Sequence, residues 1–227
     1  MADEVSSAVF DLDGTLVATP DAIAYQLVEA VHDVTGTRPS KDVARRLVGR
    51  PLEQLCGELV DSVQGRFNLA PAVVTNYQER YRHFIVPGAR DLLYEGVVEG
   101  LQALRERGFL LAVVTTKAQR SAEQLLAAAE IAHHFLSVVG ADRVTRPKPD
   151  PAGILLALQD MHVHSAEQST MVGDTRADIE AARMARVEPI GVTYGVGGRH
   201  ELISAGTTLV ADDFPAVVQH LLTGDGA

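Results

Sequence analysis

The sequence predicts an α/β protein in which a parallel sheet, covered by helices on both faces, is interrupted early by an all-helical insert. Three observations predict it. An apolar segment near the start, with Val9, Phe10 and Leu12, has the composition of a buried strand and breaks off at Asp13-Gly14. From residue 97 onward, short apolar runs alternate with segments of helical period, as parallel strands joined by crossover helices require. Between 17 and 92 only the helical period occurs, so that stretch adds no strand.

The elements follow in order. Ile23, Leu27, Ala30, Val31 and Val34 recur at helical spacing over 20–34, and Gly36 closes the helix. Further helices are expected over 41–48, 52–63 and 71–84, with breaks at Gly49-Arg50-Pro51 and near Gly65. A helix over 97–107 is stopped by Gly108, and 110–115 is an apolar run of buried-strand length. An alanine-rich helix over 117–131, a short strand over 136–140 and a helix over 151–159 come next. A strand over 170–173, a helix over 176–185, weaker strands over 189–193 and 208–211 and a helix over 214–222 complete the pattern. Tyr194-Gly195-Val196-Gly197-Gly198-Arg199 reads as a flexible loop whose glycine spacing and helix context do not fit a nucleotide motif. In such a fold ligands sit beyond the C-terminal ends of the strands.

Composition narrows the partners. The chain of 227 residues can bury a good core, and its net charge of -10, from 20 basic against 30 acidic side chains, argues against nucleic acid or an anionic membrane. An anionic ligand therefore needs a local positive focus. The single cysteine, Cys56, lies among apolar residues and reads as a buried, inert thiol. Met1-Ala2-Asp3-Glu4 lacks a signal pattern and no apolar run reaches membrane-spanning length, so a cytoplasmic protein is expected.

Four strand ends carry candidate chemistry. Asp11 and Asp13, two apart, fall on one side of an extended strand; carboxylates so close repel, so one is partly protonated or a cation sits between them. Gly14 turns the backbone and Thr15 adds a hydroxyl, although an ordinary Asp-Gly turn has the same composition. Thr115-Thr116-Lys117 places hydroxyls between a strand and a helix, as an anion site or as a plain helix cap. Lys148 stands between Pro147 and Pro149, either held rigidly or as a solvated loop lysine. Asp174 ends a strand and Asp178 follows four residues later, as a metal site or as helix-capping acids. His133-His134 reads as a helix end without a third ligand.

In that order, Asp11-Leu12-Asp13-Gly14-Thr15, Thr115, Lys148 and Gly173-Asp174-Thr175 with Asp178 resemble the four motifs of the haloacid dehalogenase (HAD) superfamily. The resemblance covers nearly the whole chain, and the helical stretch is similar to a C1-type cap. Within the superfamily, the Lys148-Pro149-Asp150-Pro151 and Gly173 to Asp178 segments are most similar to the phosphoglycolate phosphatase-like branch. The resemblance implies a Rossmann-like core at 1–16 and 93–227 and a cap at 17–92. It also implies Mg²⁺-dependent hydrolysis of a small, phosphoglycolate-like phosphate monoester through an aspartyl-phosphate. Asp11 would be the nucleophile and Asp13 the acid and then the base. Thr115 and amides near Gly14 and Thr116 would hold the phosphoryl oxygens, and Lys148 would balance charge. The Mg²⁺ ligands would be the Asp11 carboxylate, the Asp13 carbonyl and Asp174, with Asp178 orienting ligand waters.

Three positions depart from the family pattern. Ala18-Thr19 stands where relatives often carry an acid and a serine, Thr116 where asparagine is common, and Glu95-Gly96 where Pro-Gly is frequent. Asp13 argues against the dehalogenase and phosphonatase branches, and Gly173 against the phosphoglucomutase branch. The alternatives are a phosphomutase of the same superfamily acting on a sugar phosphate, and a non-catalytic phospho-acceptor module. Arg50, in the kinked break of the cap, is a candidate substrate contact, with a surface arginine in a helix-helix loop as its plain alternative. The expected partner is a small phosphorylated metabolite, and the oligomeric state is not legible.

Overall fold

A computed structural model describes residues 6–64 and 67–224. The start of the chain through Val5 and the break expected near Gly65 lie outside the described residues. β1 (Ser7–Phe10) is buried throughout and leads into the helical insert: α1 (Pro20–Thr35), α2 (Lys41–Leu47), α3 (Leu52–Gln64) and α4 (Ala70–Arg80). The helix expected over 71–84 does not run straight. After Arg80 the chain widens into a π-helical turn, Tyr81–Ile85, which buries Tyr81 and Ile85 together.

From α5 (Val97–Glu106) the expected alternation holds: β2 (Leu110–Val114), α6 (Gln119–Ala128), β3 (Ser137–Val139), α7 (Ala152–Asp160), β4 (Ser169–Gly173), α8 (Arg176–Ala185), β5 (Glu188–Val192), α9 (Arg199–Ala205), β6 (Leu209–Ala211) and α10 (Phe214–Thr223). Helix α6 starts later than the sequence suggests. Ala118 is its N-cap, and Asp142 accepts the Gln119 N–H at 2.6 Å, so neither Thr115 nor Thr116 caps it. Helix α9 is a correction to the glycine-rich loop, which gives way to helix at Arg199. Its seven residues bury only Leu202 and Ala205, too few to leave a periodic signal.

The six strands among the described residues are all parallel, in the order β3-β2-β1-β4-β5-β6. β1 is central, with Ser7 opposite Leu110 on one side and Ser169 on the other. Side chains alternate across the sheet, as strand geometry demands. Phe10, Val113 and Val172 face α10, where Phe10 and Phe214 pair with centroids 5.8 Å apart. Val9, Ala112 and Met171 face the other way, in one cluster with Ile154 of α7 and Ala181 of α8. The sequence direction reverses between β1 and β4, which places a crevice at their C-terminal ends.

The first of these apolar layers continues without a break into the insert, through Leu16, Ile23, Leu27 and Tyr81. The two chain crossings between sheet and insert lie side by side: Ala18 N–H donates to Leu92 O at 2.6 Å and Tyr94 N–H to Leu16 O at 3.2 Å. Among the described residues no helix is long and apolar enough to cross a membrane.

Candidate active site

Asp11 follows β1 immediately, and its N–H still donates to Val172 O at 2.9 Å, so sheet pairing fixes the backbone that carries it. Its carboxylate is buried and accepts from Lys148 Nζ at 2.5 Å. Lys148 also donates to Asp178 Oδ1 at 2.6 Å and to Val114 O at 2.8 Å. An ammonium has three donors, so the bonds to Asp11, Asp178 and Val114 use all of them and lock the side chain between two acids and the sheet. Asp178 is equally committed. Its Oδ2 accepts from Thr175 N–H at 2.9 Å and from Thr175 Oγ1 at 2.6 Å, forming the capping box of α8.

Asp13 looks the other way, toward the insert. Thr19 Oγ1 donates to its Oδ1 at 2.6 Å and Lys117 Nζ lies 3.1 Å from its Oδ2. Lys117 is in turn held over the Tyr81 ring, 4.3 Å from the centroid. Thr115 ends the strand beside them: its N–H donates to Val139 O at 3.0 Å and its hydroxyl accepts from Lys117 N–H at 3.2 Å. Gly14 makes the turn directly after Asp13 at φ +96°, a conformation that favours glycine.

Asp174 is fully buried, and three hydrogen bonds from two segments define it. Thr15 Oγ1 donates to Oδ1 at 3.3 Å, Val196 N–H donates to Oδ2 at 2.6 Å, and Gly197 N–H donates to the Asp174 carbonyl at 3.0 Å. The chain at 195–197 comes so close that a Cβ on Gly195 would overlap the Asp174 carboxyl group and one on Gly197 its carbonyl oxygen. Gly195 and Gly197, read as mere flexibility, are thus required by close approach. Helix α8 begins at Arg176, so Asp174 precedes the helix and does not share a helical face with Asp178.

Asp11, Asp174 and Asp178 each bring a carboxylate oxygen within 4.8 Å of the others. Burial, only partly offset by Lys148, raises Asp11 to about 7, and the Asp178 charge adds to the rise. Burial and then the charges of Asp11 and Asp178 hold Asp174 well above the usual carboxylate range. Lys148 stays above its usual value despite burial, because Asp11 and Asp178 favour its charged form. Three buried acids with one cation are short of positive charge. An all-oxygen donor set of this size fits a hard divalent ion such as Mg²⁺.

The structure therefore brings together Asp11, Asp13, Gly14, Thr115, Lys148, Asp174 and Asp178. Thr116 lines the neighbouring cavity. Arg50 reaches the same cavity, but its Nη1 is engaged by both oxygens of Glu58, at 2.7 and 2.8 Å. Sequence reasoning missed three groups. Lys117 directly follows the two strand-end threonines, a signal that was available; Thr19 is the very position noted as a departure from the family; and the Val196 amide is marked only by its flanking glycines. Cys56 is buried, and burial pushes its thiol up to about 12, as expected for an inert group.

The family model described as haloacid dehalogenase-like hydrolase matches residues 8–192. The chain is 38% identical over 210 residues to the "Probable phosphatase IndB" of Dickeya dadantii, covering 92% of this chain and 90% of that one. It is 32% identical to the phosphoglycolate phosphatase of Vibrio cholerae, covering 94% and 95%. Among solved structures, one described as a predicted phosphoglycolate phosphatase from Haemophilus somnus 129pt superposes with a TM-score of 0.85 at 26% identity, covering 96% of this chain and 99% of that chain. The chain belongs to the haloacid dehalogenase-like hydrolases, in their phosphoglycolate phosphatase-like branch, and is a phosphoric monoester hydrolase.

Proposed function

We propose that the protein is a Mg²⁺-dependent phosphatase that hydrolyses a small phosphate monoester through a phosphorylated Asp11. The observation that supports this reading best is the sorting of two acids only two residues apart. Asp11 is buried against Lys148 at 2.5 Å, while Asp13 faces the cavity between Thr19 and Lys117. Two carboxylates in such different surroundings suit two different tasks. Asp11 attacks phosphorus and the bond from phosphorus to the alcohol oxygen breaks as Asp13 gives that oxygen a proton. Water then attacks phosphorus, Asp13 takes its proton, and the bond to Asp11 breaks. Thr115 and the amides around Gly14 and Thr116 orient the phosphoryl oxygens, and Lys148 balances charge on Asp11 and on the phosphoryl group.

Mg²⁺ would be held by Asp11, Asp174 and the Asp13 carbonyl with Asp178 beside its waters, and when bound it supplies the positive charge that lets an anion approach three acids. In this reading the core comprises 1–16 and 93–227 and the cap 17–92. The partner is a small phosphorylated metabolite in the cytoplasm, with no role for nucleic acid or membrane.

Phosphate release from a panel of small esters, with and without Mg²⁺, tests the proposal. Asp11→Asn should abolish release, and Asp13→Asn should lower kcat by about 10²–10⁴-fold. Retention of wild-type turnover by Asp11→Asn would sink the covalent mechanism. Conversion of a sugar phosphate to its isomer without net phosphate release would point to a phosphomutase.

A further inference from the structure

We infer that the alcohol portion of the substrate is uncharged, ring-sized and largely apolar, rather than a two-carbon acid; the inference rests on the phosphatase reading above. It comes from the cavity that opens beside Asp13, between the strand ends and the helical insert, with a volume of about 310 Å³. At roughly 30 Å³ per molecule of liquid water, that is space for about ten water-sized groups, part of it beside Thr116 for the phosphoryl group and the rest for the alcohol.

The walls are apolar where the alcohol would lie. Ile23 and Leu27 of α1, Leu52 and Leu55 of α3, and the rings of Tyr77 and Tyr81 face it. The two rings stand with centroids 6.1 Å apart and planes at 41°, and both residues are buried in the surrounding core. Burial holds both phenols well above their usual range, so they face the cavity as neutral groups. Such a surface gains from covering a flat or branched apolar group and gains little from a small ion.

The charges on the walls point the same way. Among the described residues that line the cavity, the basic ones are Arg50 and Lys117, against the acids Asp13, Glu53 and Asp142. Both cations are already matched: Arg50 by the two oxygens of Glu58 at 2.7 and 2.8 Å, Lys117 by Asp13 at 3.1 Å and the Tyr81 ring at 4.3 Å. A carboxylate on the substrate would meet no unneutralised lysine or arginine among these groups and would lose its water. Polar contacts are still on offer from Gln78, Ser121 and Thr145, which line the same space and suit hydroxyl or amide groups.

A matched series of alkyl esters tests this. Wild-type enzyme with saturating Mg²⁺ would be assayed with phosphoglycolate, ethyl phosphate and benzyl phosphate, whose leaving groups are all ordinary alcohols. Benzyl phosphate should exceed phosphoglycolate in kcat/KM by about 10–100-fold, mostly through KM, with ethyl phosphate between them. Glu58→Gln frees Arg50, and should raise kcat/KM for phosphoglycolate several-fold while leaving benzyl phosphate unchanged. Equal or better turnover of phosphoglycolate by wild type overturns the inference while leaving the phosphatase reading intact. So does a Glu58→Gln variant that treats both esters as wild type does. No release from any ester removes the phosphatase reading and this inference with it.

Discussion

The acids at the strand ends and the cavity beneath the helical insert are neighbours built on opposite principles. At the strand ends Asp11, Lys148, Asp174 and Asp178 are all buried, and each charge is held by partners on other elements. In the cavity the surface is apolar, and Arg50 and Glu58 pair with each other near solvent, 46% and 39% exposed. In the proposed reading the difference separates reaction from selection. A single change in the first region leaves another buried charge unmatched, whereas a change at the exposed rim of the second, such as Glu58, alters fit and little else.

The largest contrast should appear in stability. Lys148→Met removes the cation that Asp11 and Asp178 share, and breaking a buried ion pair costs about 3–5 kcal/mol. Glu58→Gln removes an exposed pair worth about 0–1 kcal/mol. Urea denaturation at neutral pH without Mg²⁺ measures both; equal losses would erase the distinction. The next effect concerns the metal. Gly195→Ala would push a methyl group into Asp174, and the Mg²⁺ concentration for half-maximal activity should rise by about 10–100-fold. Leu52→Ala, across the cavity, should shift ester preference with the Mg²⁺ requirement unchanged.

The smallest effect is one of pH. In the metal-free folded protein Asp11 keeps its proton to about 7, whereas the unfolded chain releases it near 3.8. The folded state therefore binds the extra proton between these values. Its contribution to stability is full below about pH 4 and is lost as pH rises through about 7. An asparagine at this position cannot titrate, so the Tm of Asp11→Asn minus that of wild type should grow by a few degrees from pH 4 to 7 and then level off. Thermal melts in chelator at several pH values would check it, and a constant difference would show that burial does not perturb Asp11.

Much of this was legible in the sequence because the sheet is buried on both faces. Continuous apolar runs such as Leu111 to Val114 announce strands, and the polar residue that ends each run is forced to the same edge of the sheet. Asp11, Thr115 and Asp174 were found that way, and Lys148 through its flanking prolines. What escaped detection depends on contacts between distant segments. Lys117 finds Asp13 only because β2 lies beside β1, and the Val196 amide reaches Asp174 only because the chain after β5 folds back across β4. The π-helical turn at Tyr81–Ile85 keeps an ordinary helical composition, so its local widening leaves no pattern to read.

The central place of β1 has a consequence for how the molecule comes together. The strand that precedes both acids finds its first neighbour only when the chain has reached Leu110, and its second only at Ser169. Contacts this distant in sequence close slowly, while the helices of the insert rest on nearby partners. Asp174 then waits for the turn at Val196. During synthesis Asp11 and Asp13 emerge early but are enclosed only late, so for most of that time the chain carries both acids in water, unmatched.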